Sequence, residues 1–196
     1  MTDKMEKIEP TCPGDVWFLK WYDGYQAIMT PLIEDMRAAS CAVGHGDHAY
    51  LQRVYIRTLF ATIEADVFQR KQLALIGHEK THRFEHSELA VLREVQYNVQ
   101  ANGCISETPK FISLPANYRL SYLLAAKVIR ARFRLDCGGQ EWEDFKHCVG
   151  VRNKITHPKT ASDIVVTQDD LLRAQAVASW CPKNMAEFLR SAKRGG

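Results

Sequence analysis

The sequence predicts an all-α protein, a helical bundle with one small inserted β-hairpin. Two observations support this class. Apolar side chains recur at steps of three and four residues along several long segments, which is the spacing of one face of an α-helix. One segment, 95–111, instead has an Asn-Gly pair between two short strand-like runs, which is typical of a hairpin. The 196 residues are enough for one core, so we expect a single helical domain over 1–196.

The first predicted helix covers residues 14–39. Its apolar and aromatic side chains, at helical spacing, are Trp17, Phe18, Trp21, Tyr22, Tyr25, Ile28, Leu32, Ile33 and Met36. Pro31 predicts a disturbance inside this helix, because proline lacks the amide hydrogen that a helix interior uses. We expect the helix to extend a core that covers about 46–190, and its aromatic side chains to pack rather than to stack on bases.

The second predicted helix is expected to be the centre of the core. It follows a turn at 44–47, and its apolar side chains recur every four residues at Leu51, Tyr55, Leu59, Ile63 and Val67. Gly77 is expected to end this helix. A short helix over 87–94 should then lead into the hairpin.

Two further helices are predicted from their period and their end signals. The fourth covers 117–134 and stops before the segment 136–139, which contains two glycines. The fifth covers 140–157, because Pro158 disfavours an α conformation for the residue before it. His157 is therefore expected at the end of the fifth helix.

The last predicted helix begins after Thr167. Threonine is a good N-cap, and Asp169 and Asp170 place negative charge in the first turn, where the helix dipole favours it. Pro182 is a candidate break within this helix.

The composition argues against several classes of protein. Hydrophobic residues make up 46% and charged residues 25%, which argues against disorder. The net charge of +3 is small, so RNA binding would need a local basic patch. Residues 1–7 are charged where a signal peptide is apolar, and no run approaches about 20 apolar residues, so we expect a soluble, cytoplasmic protein without a membrane partner. The six cysteines show no metal-site or disulfide spacing and are expected to be reduced thiols: Cys12, Cys41, Cys104, Cys137, Cys148 and Cys181.

Arg152 is a residue that the helical period does not explain. At about 100° per residue it falls near the middle of a face made by Trp142, Phe145, Cys148, Val149, Ile155 and Thr156. A guanidinium keeps its charge at any ordinary pH, so burying it without a partner is strongly unfavourable. A carboxylate of the second helix, Glu64 or Asp66, would compensate the charge, as would a partner subunit or a bound phosphate.

Asn153 and His157 lie one helical turn apart and flank Arg152. Together the three side chains supply a fixed cation, an amide and an imidazole. This set can cleave RNA without a metal, because a base can take the proton of a 2′-hydroxyl while a cation stabilises the charge that builds on phosphorus. A structural interpretation fits the same residues: Arg152 pairs with Glu64 in the core, Asn153 caps the helix or faces solvent, and His157 precedes a turn.

A basic set on the fourth helix is a candidate RNA-binding surface. Its members are Arg119, Lys127, Arg130, Arg132 and Arg134, and Lys154 and Lys159 extend it towards Arg152. A merely solvated helix face is the equal alternative.

Three histidines, His78, His82 and His86, are spaced by four, so one helix through them would align three imidazoles for a metal. An exposed connector is the favoured interpretation, because Gly77 and the surrounding charges indicate a helix end. The segment 45–48, with two histidines beside an aspartate, is likewise interpreted first as a turn. The sequence therefore predicts neither a metal nor a cofactor.

The string Val151-Arg152-Asn153-Lys154-Ile155-Thr156-His157-Pro158 resembles the Arg-polar-x-x-x-His signature of HEPN domains. The preceding Trp142-Glu143-Asp144-Phe145 fits that context, and the resemblance extends over Tyr50–Leu75 through to His157. It implies a helical bundle that dimerises and places two copies of the motif along a shared cleft. It also implies that Arg152 and His157 are a ribonuclease pair, with Asn153 as the polar residue. We take Glu64, Thr156 and Lys154 as supporting residues.

The function implied by the resemblance is a metal-independent endoribonuclease that acts on RNA as a homodimer. Many such proteins are toxins, antiphage defence effectors or RNA-processing enzymes, and some pair with a nucleotidyltransferase-type antitoxin. Others keep the fold and only bind RNA, nucleotide or a protein partner, so a catalytically silent module is the alternative. The first helix and the hairpin have no match in the shortest family members, which leaves the partner and the RNA target open.

Overall fold

A computed structural model describes residues 16–45 and 48–192. In this part of the chain the elements are α1 (Val16–His45), α2 (Ala49–Thr81), α3 (His86–Leu92), β1 (Val95–Val99), β2 (Ile105–Pro109), α4 (Leu114–Ile129), α5 (Gln140–Thr156), a short 3-10 helix (Ala161–Ile164) and α6 (Gln168–Ala192). The prediction of an all-α fold with one small hairpin is confirmed. The chain start, Cys12 and part of the predicted turn at 44–47 lie outside the described residues.

The helix α2 is the centre of the fold, as predicted, and α1, α4, α5 and α6 all pack against it. Arg70 and Gly77 of α2 contact Ser121 and Val128 of α4, so α2 and α4 run in the same direction. The helix α5 runs in the opposite direction along another side of α2. Among the described residues, no helix is both long and apolar enough to cross a membrane.

The helix α1 contributes buried side chains to the main hydrophobic core. Its buried side chains are Phe18, Trp21, Tyr25 and Met29, and the indole of Trp21 donates a hydrogen bond to the carbonyl oxygen of Gln69 at 2.9 Å. The prediction that these aromatic side chains pack is therefore confirmed for Trp21 and Tyr25. The helix continues through the exposed Pro31, as α6 continues through the exposed Pro182.

Gly77 does not end α2, and the prediction that it would was wrong. The helix continues to Thr81 and ends at His82, whose φ of 48° is left-handed. Gly77 lies against α4 instead, where a Cβ would come within 2.7 Å of the Cβ and Cγ2 of Val128. The glycine is needed because the two helices approach too closely for a side chain.

The helix α4 ends earlier than predicted, at Ile129 rather than at residue 134. Arg130 adopts a left-handed conformation, and the amide of Ala131 donates to the carbonyl of Ala126 at 3.0 Å. The following segment is irregular because it turns Phe133 and Leu135 onto the core, where the Phe133 ring lies 4.9 Å from that of Tyr122.

The hairpin and the start of α6 are as predicted. The strands β1 and β2 pair in antiparallel register, and Gly103 in the connecting turn has a φ of 80°, which favours glycine. Before α6, the hydroxyl of Thr167 accepts the amide of Asp170 at 3.2 Å, and the Asp170 carboxylate accepts the amide of Thr167 at 2.8 Å.

A charged group, Arg70, lies completely buried at the centre of the bundle. It pairs with Asp66 one turn earlier, its Nε donates to the hydroxyl of Ser121 at 3.0 Å, and its guanidinium carbon lies 3.9 Å from the centre of the Tyr122 ring. The hydroxyl of Tyr25 donates to Asp66 at 3.1 Å. Burial acts to lower the pKa of Arg70, but the Asp66 carboxylate raises it above its usual value, so Arg70 stays charged.

Removing one partner of the Asp66–Arg70 pair should destabilise the fold strongly. Arg70→Met leaves a buried carboxylate without a cation, so we expect the free energy of unfolding to fall by about 3–5 kcal/mol. The combined variant Asp66→Leu/Arg70→Met should lose less than the sum of the two single changes. Urea unfolding followed by circular dichroism measures this, and additive losses would contradict the coupling.

Adding a methyl group at Gly77 should also destabilise the protein. Gly77→Ala places a Cβ against Val128, so we expect a loss of about 1–3 kcal/mol despite the better helix propensity of alanine. The matched control is Gly24→Ala in α1, where no heavy atom lies within 4 Å and a gain of up to about 1 kcal/mol is expected. Equal effects of the two substitutions in urea unfolding would contradict the close approach of α2 and α4.

Candidate functional site

The buried face of α5 passes beside Arg152 rather than through it. Its buried apolar side chains are Trp142, Phe145, Cys148, Val151 and Ile155, whereas Val149 is half-buried and Thr156 is exposed. The predicted face was therefore wrong at Thr156 and omitted the buried Val151, whereas Val149 packs against the core at its edge. Arg152 consequently lies at the edge of the buried face.

Arg152 is a partly exposed cation held in place by two neighbours. Its side chain is 26% exposed, its Nη2 pairs with Glu64 of α2, and its Nη1 donates to the amide oxygen of Asn153 at 3.1 Å. Of the two carboxylates considered from the sequence, Glu64 pairs with Arg152, whereas Asp66 pairs with Arg70. The structural interpretation predicted a pair of Arg152 with Glu64 inside the core. The pair is confirmed, but it lies at the surface.

His157 lies directly after the last residue of α5, as predicted from Pro158. Its amide donates to the carbonyl of Asn153 at 3.0 Å, and its side chain is exposed. Within the residues that the structure describes, the imidazole makes no hydrogen bond or ion pair. It is therefore free to contact a ligand.

The two supporting residues on α5 differ in what they contact. The hydroxyl of Thr156 donates to the carbonyl of Arg152 at 2.7 Å, which is a local bond of the helix. Lys154 and Lys159 are exposed, and both lie near His157 along the chain. They add positive charge to this end of α5.

Arg57 of α2 is a residue of this region that the sequence analysis missed. Its Nη2 donates to the carbonyl of Ile155 at 2.6 Å, in the last turn of α5. Arg53, one turn earlier, donates to the carbonyl of Ile164 at 3.2 Å. Because Arg57 and Glu64 are two turns apart on one side of α2, their spacing was the signal that could have found Arg57. Its guanidinium pairs with no carboxylate in the described part of the chain.

A cleft of about 410 Å³ opens beside Arg152. It lies between α2, α5 and the segment 111–117, which comprises the residues before α4 and its first turn. Arg152 and Asn153 line one end of it, and Lys71 and Glu94 line another part. Its volume is within the usual range for small-molecule and cofactor sites.

The predicted basic surface is divided in the structure. Lys127 pairs with Glu88 at 2.7 Å and lies over the Phe84 ring, beside the C-terminal end of α2. Glu64 and Gly77 are separated by about 20 Å along α2, so Lys127 is distant from Arg152. Arg130, which ends α4, shares that distant position.

Arg134 also makes no contact with the motif residues, Arg152 and His157, in the described part of the chain. It is exposed on the irregular segment after α4. Of the four predicted RNA-binding residues, only Lys159 lies near the motif. The expectation of one continuous patch was wrong because α4 ends before it can carry Arg132 and Arg134 on a helical face.

The three spaced histidines do not lie on one helix. His78 belongs to the last turn of α2, His82 ends that helix, and His86 begins α3. The ring of His78 stacks on Phe84, and its Nδ1 accepts the Phe84 amide at 3.0 Å. In 16–45 and 48–192, no group of three His, Cys, Asp or Glu side chains is placed to hold a metal. Asp47 and the side chain of His45 lie outside the described residues.

Two of the predicted thiols are buried. Burial is the main cause that raises the pKa of the Cys148 and Cys181 thiols to about 12, so both remain protonated at neutral pH. They are packing residues of the core rather than nucleophiles.

No model of a known protein family matches this chain, and no curated protein or solved structure matches it either. Any inference about function therefore rests on the positions and chemistry of the side chains. The end of α5 brings together a held cation, an exposed imidazole and a cleft, and it is the candidate functional site.

Loss of the Arg152 side chain should leave the fold intact. The Arg152–Glu64 pair is partly exposed to solvent, so we expect Arg152→Ala to lower the free energy of unfolding by less than about 1 kcal/mol. The comparison is Arg70→Ala, for which a much larger loss is expected. Thermal and urea unfolding measure both, and similar losses would show that Arg152 is a core residue.

Proposed function

We propose that the protein is a HEPN-like, metal-independent endoribonuclease that acts on RNA as a homodimer. The observation that carries the proposal is that Arg152 and His157 are both accessible at one end of α5, with Arg152 oriented by Glu64 and Asn153. A general base and an oriented cation are the two groups that cleavage through a 2′-hydroxyl needs. The resemblance of residues 151–158 to the HEPN signature supports the same chemistry.

The reaction would proceed by attack within the RNA strand. His157 takes the proton of a 2′-hydroxyl, the 2′-oxygen forms a bond to phosphorus, and the bond from phosphorus to the 5′-oxygen breaks. The products are a 2′,3′-cyclic phosphate and a 5′-hydroxyl. The leaving oxygen also needs a proton, which the His157 of a second copy would donate, and this need is the chemical reason for a homodimer.

Arg152 keeps donors for the reacting phosphate although it pairs with Glu64. A guanidinium has five N–H donors, and Glu64 and Asn153 use two of them. Arg57 places a second guanidinium beside the last turn of α5. Together they would stabilise the negative charge that develops on the phosphate oxygens.

A catalytically silent module that binds RNA, nucleotide or a protein partner is the second candidate. The Arg152–Glu64 pair favours it, because a carboxylate beside the guanidinium offsets part of the positive charge that catalysis would use. A role as a toxin or defence effector, with an antitoxin or nucleotidyltransferase-type partner, belongs to the first candidate and rests on the resemblance.

Cleavage of a structured RNA in EDTA tests the proposal. We expect the wild-type protein to release products that end in a 2′,3′-cyclic phosphate, and Arg152→Ala and His157→Ala each to slow cleavage by about 100-fold or more. The matched control is His86→Ala, an exposed histidine on α3, which should leave the rate unchanged. Unchanged cleavage in both Arg152→Ala and His157→Ala would contradict the proposal. Tight RNA binding by the wild-type protein without cleavage would favour the silent module.

A further inference from the structure

Two phenyl rings are exposed in the cleft beside Arg152. Phe68 of α2 is 56% exposed and Phe111 is 92% exposed, and both line the cleft. Phe68 lies one turn after Glu64, on the same side of α2 as the partner of Arg152. Two exposed phenyl rings that line one cleft are available to contact a flat ligand. Flat aromatic side chains of this kind bind nucleobases by stacking.

Glu94 supplies a hydrogen-bond acceptor in the same cleft. Its Oε1 binds the ammonium of the buried Lys71 and accepts the side-chain amide of the buried Asn117 at 3.0 Å. Its other oxygen, Oε2, accepts no hydrogen bond from the residues that the structure describes, and the side chain is 43% exposed. The carboxylate is thus held on one side and available on the other.

The backbone around Glu94 fixes the position of its side chain at the end of α3. Glu94 has a φ of 56°, a left-handed conformation that glycine adopts far more readily. Its amide donates to the carbonyl of Val91 at 3.1 Å, and its carbonyl accepts the amide of Lys110 at 2.7 Å. A left-handed residue is common directly after a helix, and these two bonds hold Glu94 between α3 and the hairpin.

We propose that this cleft binds an unpaired nucleobase that carries an exocyclic amino group, which is adenine, cytosine or guanine. The rings of Phe68 and Phe111 contact the faces of the base, and Oε2 of Glu94 accepts the amino group. Uracil lacks an exocyclic amino group, and its one ring N–H lies between two carbonyl oxygens that a carboxylate repels, so it is disfavoured. The inference rests on the proposed function, since it names the RNA feature that the same site recognises.

The position of the cleft suits a base next to the cleaved phosphate. Arg152 lines the cleft, and His157 follows it by about 7–8 Å along the axis of α5. A base in the cleft therefore brings the adjoining phosphate within reach of the Arg152 guanidinium. Glu94, Phe68 and Phe111 contact the base and not the reacting atoms, so they set specificity rather than catalyse.

Binding of short RNA strands tests the inference. Fluorescence anisotropy with labelled octamers of A, C or U, in EDTA and with the full-length His157→Ala protein, avoids cleavage during the measurement. We expect the A and C strands to bind about tenfold or more tightly than the U strand, and Phe111→Ala to weaken binding of the A and C strands about tenfold. The matched control is Tyr97→Ala, an exposed aromatic residue of β1 that does not line the cleft and should have no effect.

Glu94→Gln separates a recognition role from a structural one. The glutamine oxygen can still accept from Lys71 and Asn117, but its amide nitrogen now offers a donor to the base. We therefore expect the preference to shift towards the U strand.

RNA binding that is equal for all three strands and unchanged in Phe111→Ala would overturn the base site while leaving the ribonuclease proposal standing. Absence of both RNA binding and cleavage in the wild-type protein would overturn both. If Glu94→Gln fails to fold, the comparison of Phe111→Ala with Tyr97→Ala by itself tests whether the cleft binds the base.

Discussion

The buried ion pair of Arg70 with Asp66 constrains the rest of the bundle. A guanidinium in the core cannot lose its charge, so the elements packed around it must compensate that charge. The helix α2 supplies Asp66, and α4 supplies the Ser121 hydroxyl and the Tyr122 ring. The helix α1 supplies the Tyr25 hydroxyl, which donates a hydrogen bond to the Asp66 carboxylate. These contacts hold α4 beside α2. The segment that enters α4 thereby comes to lie next to α5, where it forms one wall of the cleft.

Arg70 and Arg152 show how burial decides what an arginine can do. Both pair with a carboxylate of α2, yet Arg70 is enclosed on all sides while a quarter of the Arg152 side chain is exposed. The enclosed pair contributes to the structure and has no access to a ligand. The exposed pair is weaker, because water screens it, but it keeps N–H donors that a phosphate can reach. The same residue type is thus structural at one position and a candidate for binding at the other.

The site was predictable from sequence where local rules determine it. Pro158 locates the end of α5, and hence His157, because it restricts the residue before it. The charge on a partly apolar helix singled out Arg152 and required a compensating group. A carboxylate, a partner subunit and a bound phosphate were all candidates, and the structure shows a pair with Glu64. Glu94 and Phe111 were missed because each joins the site only through the packing of other elements. Arg57 was missed although its spacing from Glu64 places both on one side of α2. Lys127 and Arg130 were wrongly grouped with the motif because the end of α4 packs beside the C-terminal end of α2, far from the part of α2 that Arg152 contacts.

The sequence alone determined the number and order of the helices, the hairpin and the end of α5, because periodicity, caps and proline act over a few residues. Only the tertiary structure decided that Gly77 lies inside a helix, since its reason is the contact with Val128 of α4. The cleft likewise depends on the tertiary structure, because its walls come from α2, Glu94, the segment 111–117 and α5. Residues so far apart in the chain meet only once the buried Arg70 and the apolar core have set the packing of the helices.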